Sequence, residues 1–304
     1  MYDSLALWYR GANCLTIAPL LSRLTEHQTE HSYYVTGGLK NLNITQSEQG
    51  ISIKGSLCKW YLGDNLQTLT MGDTKLAIEA LSETFNIAIV EAKVKRIDVA
   101  QNLIMKHNPT IYFPYLGDCQ HFDRIKRNTS LYYQNGNRIK VFYDKIAECK
   151  SNGAEVHKVF QNQNLLRFEL RYLQRLDRAF NVAEINAKML YKEQFYINIL
   201  DRWVDEYRNI NKLTKMVFKD NTQLKPKDFI DQLLLQSILN MGGQSTILEM
   251  VDEARKKGQF ERPEYASRAK SMIKEICRLE SITEPSELVQ ELDRKIKQVQ
   301  LYYR

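Results

Sequence analysis

The chain has 304 residues, of which 43% are hydrophobic and 26% charged. That is long enough for two domains and apolar enough to bury a core. No stretch of about eighteen apolar residues occurs, which excludes a membrane-spanning helix. The start from Met1 to Pro19 lacks the basic head and small-residue cleavage site of a secretion signal, so a cytoplasmic protein is the expectation. Cys14, Cys58, Cys119, Cys149 and Cys277 are odd in number and show no C-x-x-C spacing. This argues against a disulfide framework or zinc ribbon and for small buried hydrophobes. A net charge of +7 is the footprint a nucleic-acid binder carries, though charge alone does not make one.

The predicted elements begin with strands. Tyr2 to Tyr9 and Gly50 to Ser56 alternate apolar and polar residues. Leu57 to Leu69 reads as a hairpin turning at Gly63-Asp64-Asn65. Asp73 to Phe85 places Leu76, Ile78, Leu81 and Phe85 near helical spacing, with Asp73 as the cap. A strand is expected over Ala92–Leu103. Ser130–Tyr133 and Ile139–Tyr143 flank Gln134-Asn135-Gly136-Asn137, and Asn-Gly between two such runs signals a hairpin. A last strand runs over Leu165–Tyr172. Long helical patterns follow over Ala183–Arg208, Pro226–Met241, Ser245–Lys257, Pro263–Leu279 and Pro285–Tyr303. The expected fold class is α+β, an antiparallel-rich catalytic domain over 1–182 followed by an all-helical C-terminal domain over 183–304.

Between Arg124 and Lys150 the cations Arg124, Lys126, Arg127, Arg138, Lys140, Lys145 and Lys150 face only Asp144 and Glu148, with Phe122, Tyr132, Tyr133, Phe142 and Tyr143 interleaved. Cations neutralise phosphates and aromatic faces stack on unpaired bases, which suits single-stranded DNA. The same mixture also fits a solvated basic hairpin with its aromatics in the core. No phosphate-binding P-loop, Gly-rich dinucleotide turn, G-x-S-x-G or H-E-x-x-H is present. His27 and His31 have the i, i+4 spacing of one helix face, where surface residues are the expectation rather than metal ligands.

Three segments concentrate charge. On a strand, Arg96 and Asp98 share a face, as do Tyr143 and Lys145, and as do Arg167, Glu169 and Arg171. Each alone reads as a salt-bridged exposed strand. If the three are neighbours, one face combines carboxylates, cations and a tyrosine.

Arg96-Ile97-Asp98, then Tyr143-Asp144-Lys145-Ile146-Ala147-Glu148, then Arg167-Phe168-Glu169 resemble, in this order, the replication initiation proteins of filamentous phage gene II type and related plasmid initiators. The resemblance covers about residues 45 to 182. It implies a rolling-circle nickase: Tyr143 attacks a backbone phosphorus and leaves a 5′-phosphotyrosine that later rejoins the strand. Lys145 would stabilise the phenolate or the developing charge. Without any His-x-His pair the cofactor, Mg²⁺ or Mn²⁺, would need oxygen ligands, with Asp98 and Glu169 leading and Glu148 third. Arg96, Arg138, Lys140, Arg167, Arg171, Arg124, Lys126 and Arg127 are the expected DNA contacts; Arg96, Arg138 and Arg167 equally fit pairing with the carboxylates. Tyr132 and Tyr133 are alternative nucleophiles. Expected partners are origin DNA, single-stranded or hairpin near the nick, and a host helicase and single-strand-binding protein, with no membrane. The helical half is open to duplex reading, homodimerisation or helicase docking. The competing readings are an inactive DNA-binding regulator, or a relaxase or transposase using the same tyrosine chemistry.

Overall fold

The computed structural model describes residues 1–11, 20–29, 33–216, 225–279 and 283–303; Cys14 and His31 lie outside them. The strands are β1 (Tyr2–Arg10), β2 (Ser22–Gln28), β3 (Tyr33–Leu39), β4 (Leu42–Ser47), β5 (Gly50–Ser56), β6 (Lys93–Met105), β7 (Leu116–Cys119), β8 (Asp123–Lys126), β9 (Ser130–Gln134), β10 (Arg138–Asp144) and β11 (Asn164–Tyr172). All of these except β7 join one antiparallel sheet in the order β2-β3-β4-β5-β1-β6-β11-β10-β9-β8. Helices α1 (Leu57–Leu62), α2 (Met71–Phe85), α3 (Lys145–Ser151), α4 (Leu176–Phe180) and α5 (Glu193–Arg208) interrupt or follow the strands, and β12 (Ile210–Lys212) pairs with β7.

The alternation read from the sequence decides which face is dry. Ile97, Val99 and Leu103 on β6, Phe168 and Leu170 on β11, and Phe142 on β10 are all buried. Against them α5 packs Leu200, Trp203, Val204 and Tyr207. Phe142 stacks on Phe168 with centroids 4.3 Å apart, and Trp203 sits 4.8 Å from Phe168 while its Nε1 donates to the Phe168 carbonyl at 3.4 Å. Each such side chain contributes about 1.5–3 kcal/mol by leaving water. The dry face is completed by α9 (Glu287–Tyr303), whose Leu292 and Ile296 join the same core. Glu291 of α9 accepts from the Lys106 amide at 2.8 Å and the Tyr112 hydroxyl at 2.6 Å.

The chain divides into two compact units. One comprises Met1–Lys212 with Glu287–Arg304, the other Leu213–Ser286. The latter holds α6 (Pro226–Asn240), α7 (Gly243–Lys256) and α8 (Pro263–Ile276) around Leu235, Ile238 and Ile276, with short strands β13 (Thr214–Met216) and β14 (Thr283–Pro285) paired. The helices after residue 182 therefore do not form a unit of their own, because α5 and α9 bury their apolar faces on the sheet.

Several local expectations are corrected. Leu57–Leu62 is a helix rather than the first arm of a hairpin: Ser56 caps it by accepting from the Lys59 amide at 3.1 Å, and Gly63 ends it at φ 91. Helix α2 starts two residues before Asp73, because Thr70 and Asp73 cap each other reciprocally. No helix begins at Ala183, since 185–187 is hydrogen-bonded alongside β6 through Val94 N to Ile185 O and Ala187 N to Ala92 O. His27 lies on strand β2 instead of a helix, stacked on Tyr34 at 4.7 Å and bonded to Thr36 at 3.0 Å. Cys58, Cys119 and Cys149 are free and buried, whereas Cys277 is half-buried. Among the described residues no helix is long and apolar enough to cross a membrane.

Candidate active site on the open sheet face

The three charged segments are adjacent strands. Register pairs Asp98 with Arg171 and Asn102 with Arg167 across β6–β11, and Arg167 with Tyr143 and Glu169 with Val141 across β10–β11. Registered partners share a face, so Asp98, Arg167, Glu169, Arg171 and Tyr143 all project from the side opposite Phe168. Arg96, two residues before Asp98, is with them.

Their side chains form a linked network. Arg96 grips Asp98 with two hydrogen bonds, Nε to Oδ1 at 2.8 Å and Nη2 to Oδ2 at 2.7 Å. Arg171 Nε donates to Glu169 Oε1 at 2.7 Å, and the Tyr143 hydroxyl donates to Glu169 Oε2 at 3.2 Å. Arg167, almost wholly buried, pairs through Nη2 with Asp3 Oδ2 at 3.0 Å and donates from Nη1 to the Asn65 carbonyl at 3.0 Å and Asn102 Oδ1 at 3.1 Å. Asp3 accepts further from Ser56 at 2.7 Å and Asn65 at 3.3 Å. At the end of β10, Asp144 caps α3 by accepting from the Ala147 amide at 3.0 Å. This corrects the expectation that Lys145 shares a strand face with Tyr143: the strand ends at Asp144, and Lys145 lies in the first helical turn, where it bonds Glu148 at 2.6 Å.

Burial sets the protonation states. It pushes the Tyr143 hydroxyl well above the usual range; Arg167 opposes that, while Glu169 and Asp3 add to it. Burial together with the Glu169 charge raises Asp98 to about 6 against the pull of Arg96. For Asp3 burial also pushes upward, but Arg167 and the Ser56 and Asn65 hydrogen bonds outweigh it, and the carboxyl lies below its ordinary value. Glu148 behaves alike: burial pushes up, and Lys145 pulls it below.

The expected DNA contacts divide by face. Arg96 and Arg171 lie on the open side with side chains 39% and 28% exposed, and Lys126 and Arg127 are exposed at the end of β8 and beyond it. Lys140 is corrected: it points into the dry side, fully buried, bonded to Glu206 at 2.7 Å and 3.1 Å from Cys119 Sγ. Arg167 is also inaccessible, and its charge is shared between Asp3 at 3.0 Å and Glu169 at 3.6 Å. Arg138 pairs with Glu206, and Arg124 holds the carbonyls of Leu116 and Phe113. Of the alternative nucleophiles, Tyr133 is excluded by geometry, because its buried hydroxyl is spent on the Leu116 and Gly117 carbonyls at 3.0 and 2.7 Å. Tyr132 remains on the open face, in register with Val141.

Asp98 and Glu169 are the hard oxygen donors a small divalent cation would take here, but all four of their oxygens already accept from Arg96, Arg171 and Tyr143, so a cation would have to displace those hydrogen bonds. Glu148 does not join them: it belongs to Lys145, and among the described residues no three of His, Cys, Asp and Glu are gathered as a metal group. Asp3, Asn65 and Asn102 are additions that the sequence reading lacks. Asp3 carries a signal, as a lone acid near the start of the apolar run Tyr2-Asp3-Ser4-Leu5-Ala6-Leu7-Trp8. The two asparagines carry none.

Fold and site together define an α+β protein that presents a tyrosine within an arginine–carboxylate network on one side of an antiparallel sheet. Residues 15–203 match the family Phage_CRI, described as the N-terminal region of a phage replication-associated protein; the match takes in more than half of the chain and all three site strands. The chain belongs to that family and is a replication-associated protein of phage type. Comparison with individual curated proteins gives no match.

Proposed function

We propose that the chain initiates rolling-circle replication by nicking one origin strand with Tyr143, and later rejoins it. The observation that carries this reading is the Tyr143 hydroxyl at 3.2 Å from Glu169, on the sheet face that presents Arg96 and Arg171 to solvent. A phenol held above its usual pKa needs a proton acceptor, and Glu169 is the group in hydrogen-bond reach. As the proton passes to Glu169, the phenolic oxygen bonds to phosphorus. The 3′-oxygen departs with the electron pair of the broken P–O bond and takes a proton from water to become a 3′-hydroxyl, leaving a 5′-phosphotyrosine. One phosphodiester replaces another, so the reverse attack reseals the strand. Arg96 and Arg171 would meet the phosphate with the exposed part of guanidinium groups already paired to carboxylates, whereas the Lys145 charge is committed to Glu148. Asp98 would be the carboxylate donor to Mg²⁺ or Mn²⁺, with Glu169 beside it before it takes the proton, and the ion would draw charge from the phosphate. A host helicase and single-strand-binding protein would then act on the opened duplex.

The alternative, a DNA-binding regulator without catalysis, is favoured by one feature: Arg167 and Lys145 are both closed onto carboxylates. Incubation of the full chain with supercoiled DNA bearing its origin and Mg²⁺ or Mn²⁺, followed by denaturing electrophoresis, separates the two. The nickase reading requires protein attached to a 5′ end, lost in Tyr143→Phe while DNA binding persists. Binding with no nick in the parent protein would establish the regulator.

A further inference from the structure

We propose that Tyr132 and Arg127 form a clamp for one unpaired nucleotide beside Tyr143, the Tyr132 ring stacking on the base and Arg127 taking the adjoining phosphate. The inference rests on the nickase reading of the same face and names its substrate as single-stranded DNA.

Position is the first observation. Tyr132 pairs with Val141 and Ser130 with Tyr143 across β9–β10, so Tyr132 and Tyr143 are diagonal neighbours on one face. Diagonal partners on an antiparallel pair lie about 7–8 Å apart, within reach of aromatic side chains. That separation also suits a single nucleotide lying between the two rings.

Chemistry is the second. The Arg127 guanidinium lies over the Tyr132 ring at 5.0 Å from its centroid. Arg96, Arg167, Arg171 and Lys145 are all bonded to carboxylates, whereas Lys126 and Arg127 enter no ion pair among the described residues. Their charge is free for phosphate, and the weakly hydrated guanidinium already rests on an aromatic plane.

The third observation is the backbone that holds them. Residues 126–129 are all exposed, yet the turn is fixed at both ends: Arg127 N donates to Ser130 O at 2.8 Å, and Asp144 N to Thr129 O at 3.1 Å. The second bond ties the turn to the residue after Tyr143, so the clamp and the nucleophile are positioned together. A base can stack on Tyr132 only when it is out of a duplex, and the clamp therefore makes cleavage depend on local unpairing.

The test uses the full chain carrying Tyr143→Phe, which blocks cleavage, and a mixed-sequence oligodeoxynucleotide containing 2-aminopurine, single-stranded or annealed. Tyr132→Leu in that background should weaken single-strand binding about tenfold to a hundredfold and abolish the quenching of 2-aminopurine, with duplex affinity unchanged. Tyr132→Trp should restore both. Arg127→Ala should weaken binding and lower the salt slope by about one. Equal affinity and equal quenching in Tyr132→Leu would overturn the clamp, as would equal losses on single strand and duplex. In the cleaving protein, Tyr132→Trp should raise KM little and keep kcat, whereas loss of the covalent adduct in Tyr132→Trp would make Tyr132 the nucleophile and overturn the clamp. The nickase reading fails on another readout, the absence of any nick or covalent adduct in the parent protein, whereas an adduct that survives Tyr143→Phe moves the nucleophile to another tyrosine.

Discussion

Nη2 of Arg167 stands 3.0 Å from Oδ2 of Asp3, a pair joined across the sheet from its first strand to β11 and sealed from water. Breaking one side of a buried ion pair leaves a charge without compensation. Arg167→Leu should therefore cost about 3–5 kcal/mol in urea unfolding, and Asp3→Asn in the same chain should restore part of it. Additive losses in the double variant would show that the two residues do not act as a pair.

Glu169 is the acceptor for the Tyr143 proton. Glu169→Gln keeps the shape and the hydrogen-bonding capacity toward Arg171 but not the basicity. Nicking should fall by about 10²–10⁴-fold with DNA affinity little changed, measured as single-turnover rate against anisotropy. A loss of affinity matching the loss of rate would move Glu169 from proton transfer to binding.

Asp98 carries a pH signature. Its native pKa of about 6 is above the ordinary value of 3.8, so the folded state holds that proton more tightly than the unfolded chain. Its contribution to stability is complete below about pH 4 and is lost as pH rises through about 6. Asp98→Asn should remove that decline, leaving a flatter melting-temperature profile over this window. Protonation also removes a donor for a cation, so nicking should fall as pH drops through about 6. An unchanged stability profile in Asp98→Asn would count against the assignment.

Two cations in the charged segments separate by face. Arg171→Ala should lower the salt slope of DNA binding by about one, because an open-face guanidinium meets phosphate. Lys140→Met should leave the slope unchanged while lowering stability, since Lys140 is buried against Glu206. A shifted slope in Lys140→Met would contradict its burial.

That contrast marks where the sequence is legible. Alternation and the Asn-Gly turn locate β1, β5, β6 and β9 to β11, and three short motifs are enough to gather Asp98, Glu169 and Tyr143. Which face of β10 is wet depends on α5: Lys140 and Tyr143 sit on opposite sides, and only the packing of Trp203 and Tyr207 decides between them. Strand β2 has no such signature. β2 is an exposed edge with no buried residue, and an unburied strand has no hydrophobic period to read. The Ser56 cap overrides apparent strand character in Leu57–Leu62. Asn65 and Asn102 bind Arg167 through their fold neighbours alone.

The helix α9 that closes the dry face is separated from α5 by the whole of Leu213–Ser286. On a ribosome, the strands and α5 would emerge first, leaving the Lys106 amide and the Tyr112 hydroxyl without Glu291 until that stretch has been made. At roughly 5–20 residues per second, the delay is on the order of ten seconds. Through that interval the apolar strip awaiting Leu292 and Ile296 would be open to chaperones and to other nascent chains, so the yield of folded protein should fall or rise with translation speed across the inserted helices, which synonymous slow-codon variants of that stretch would test.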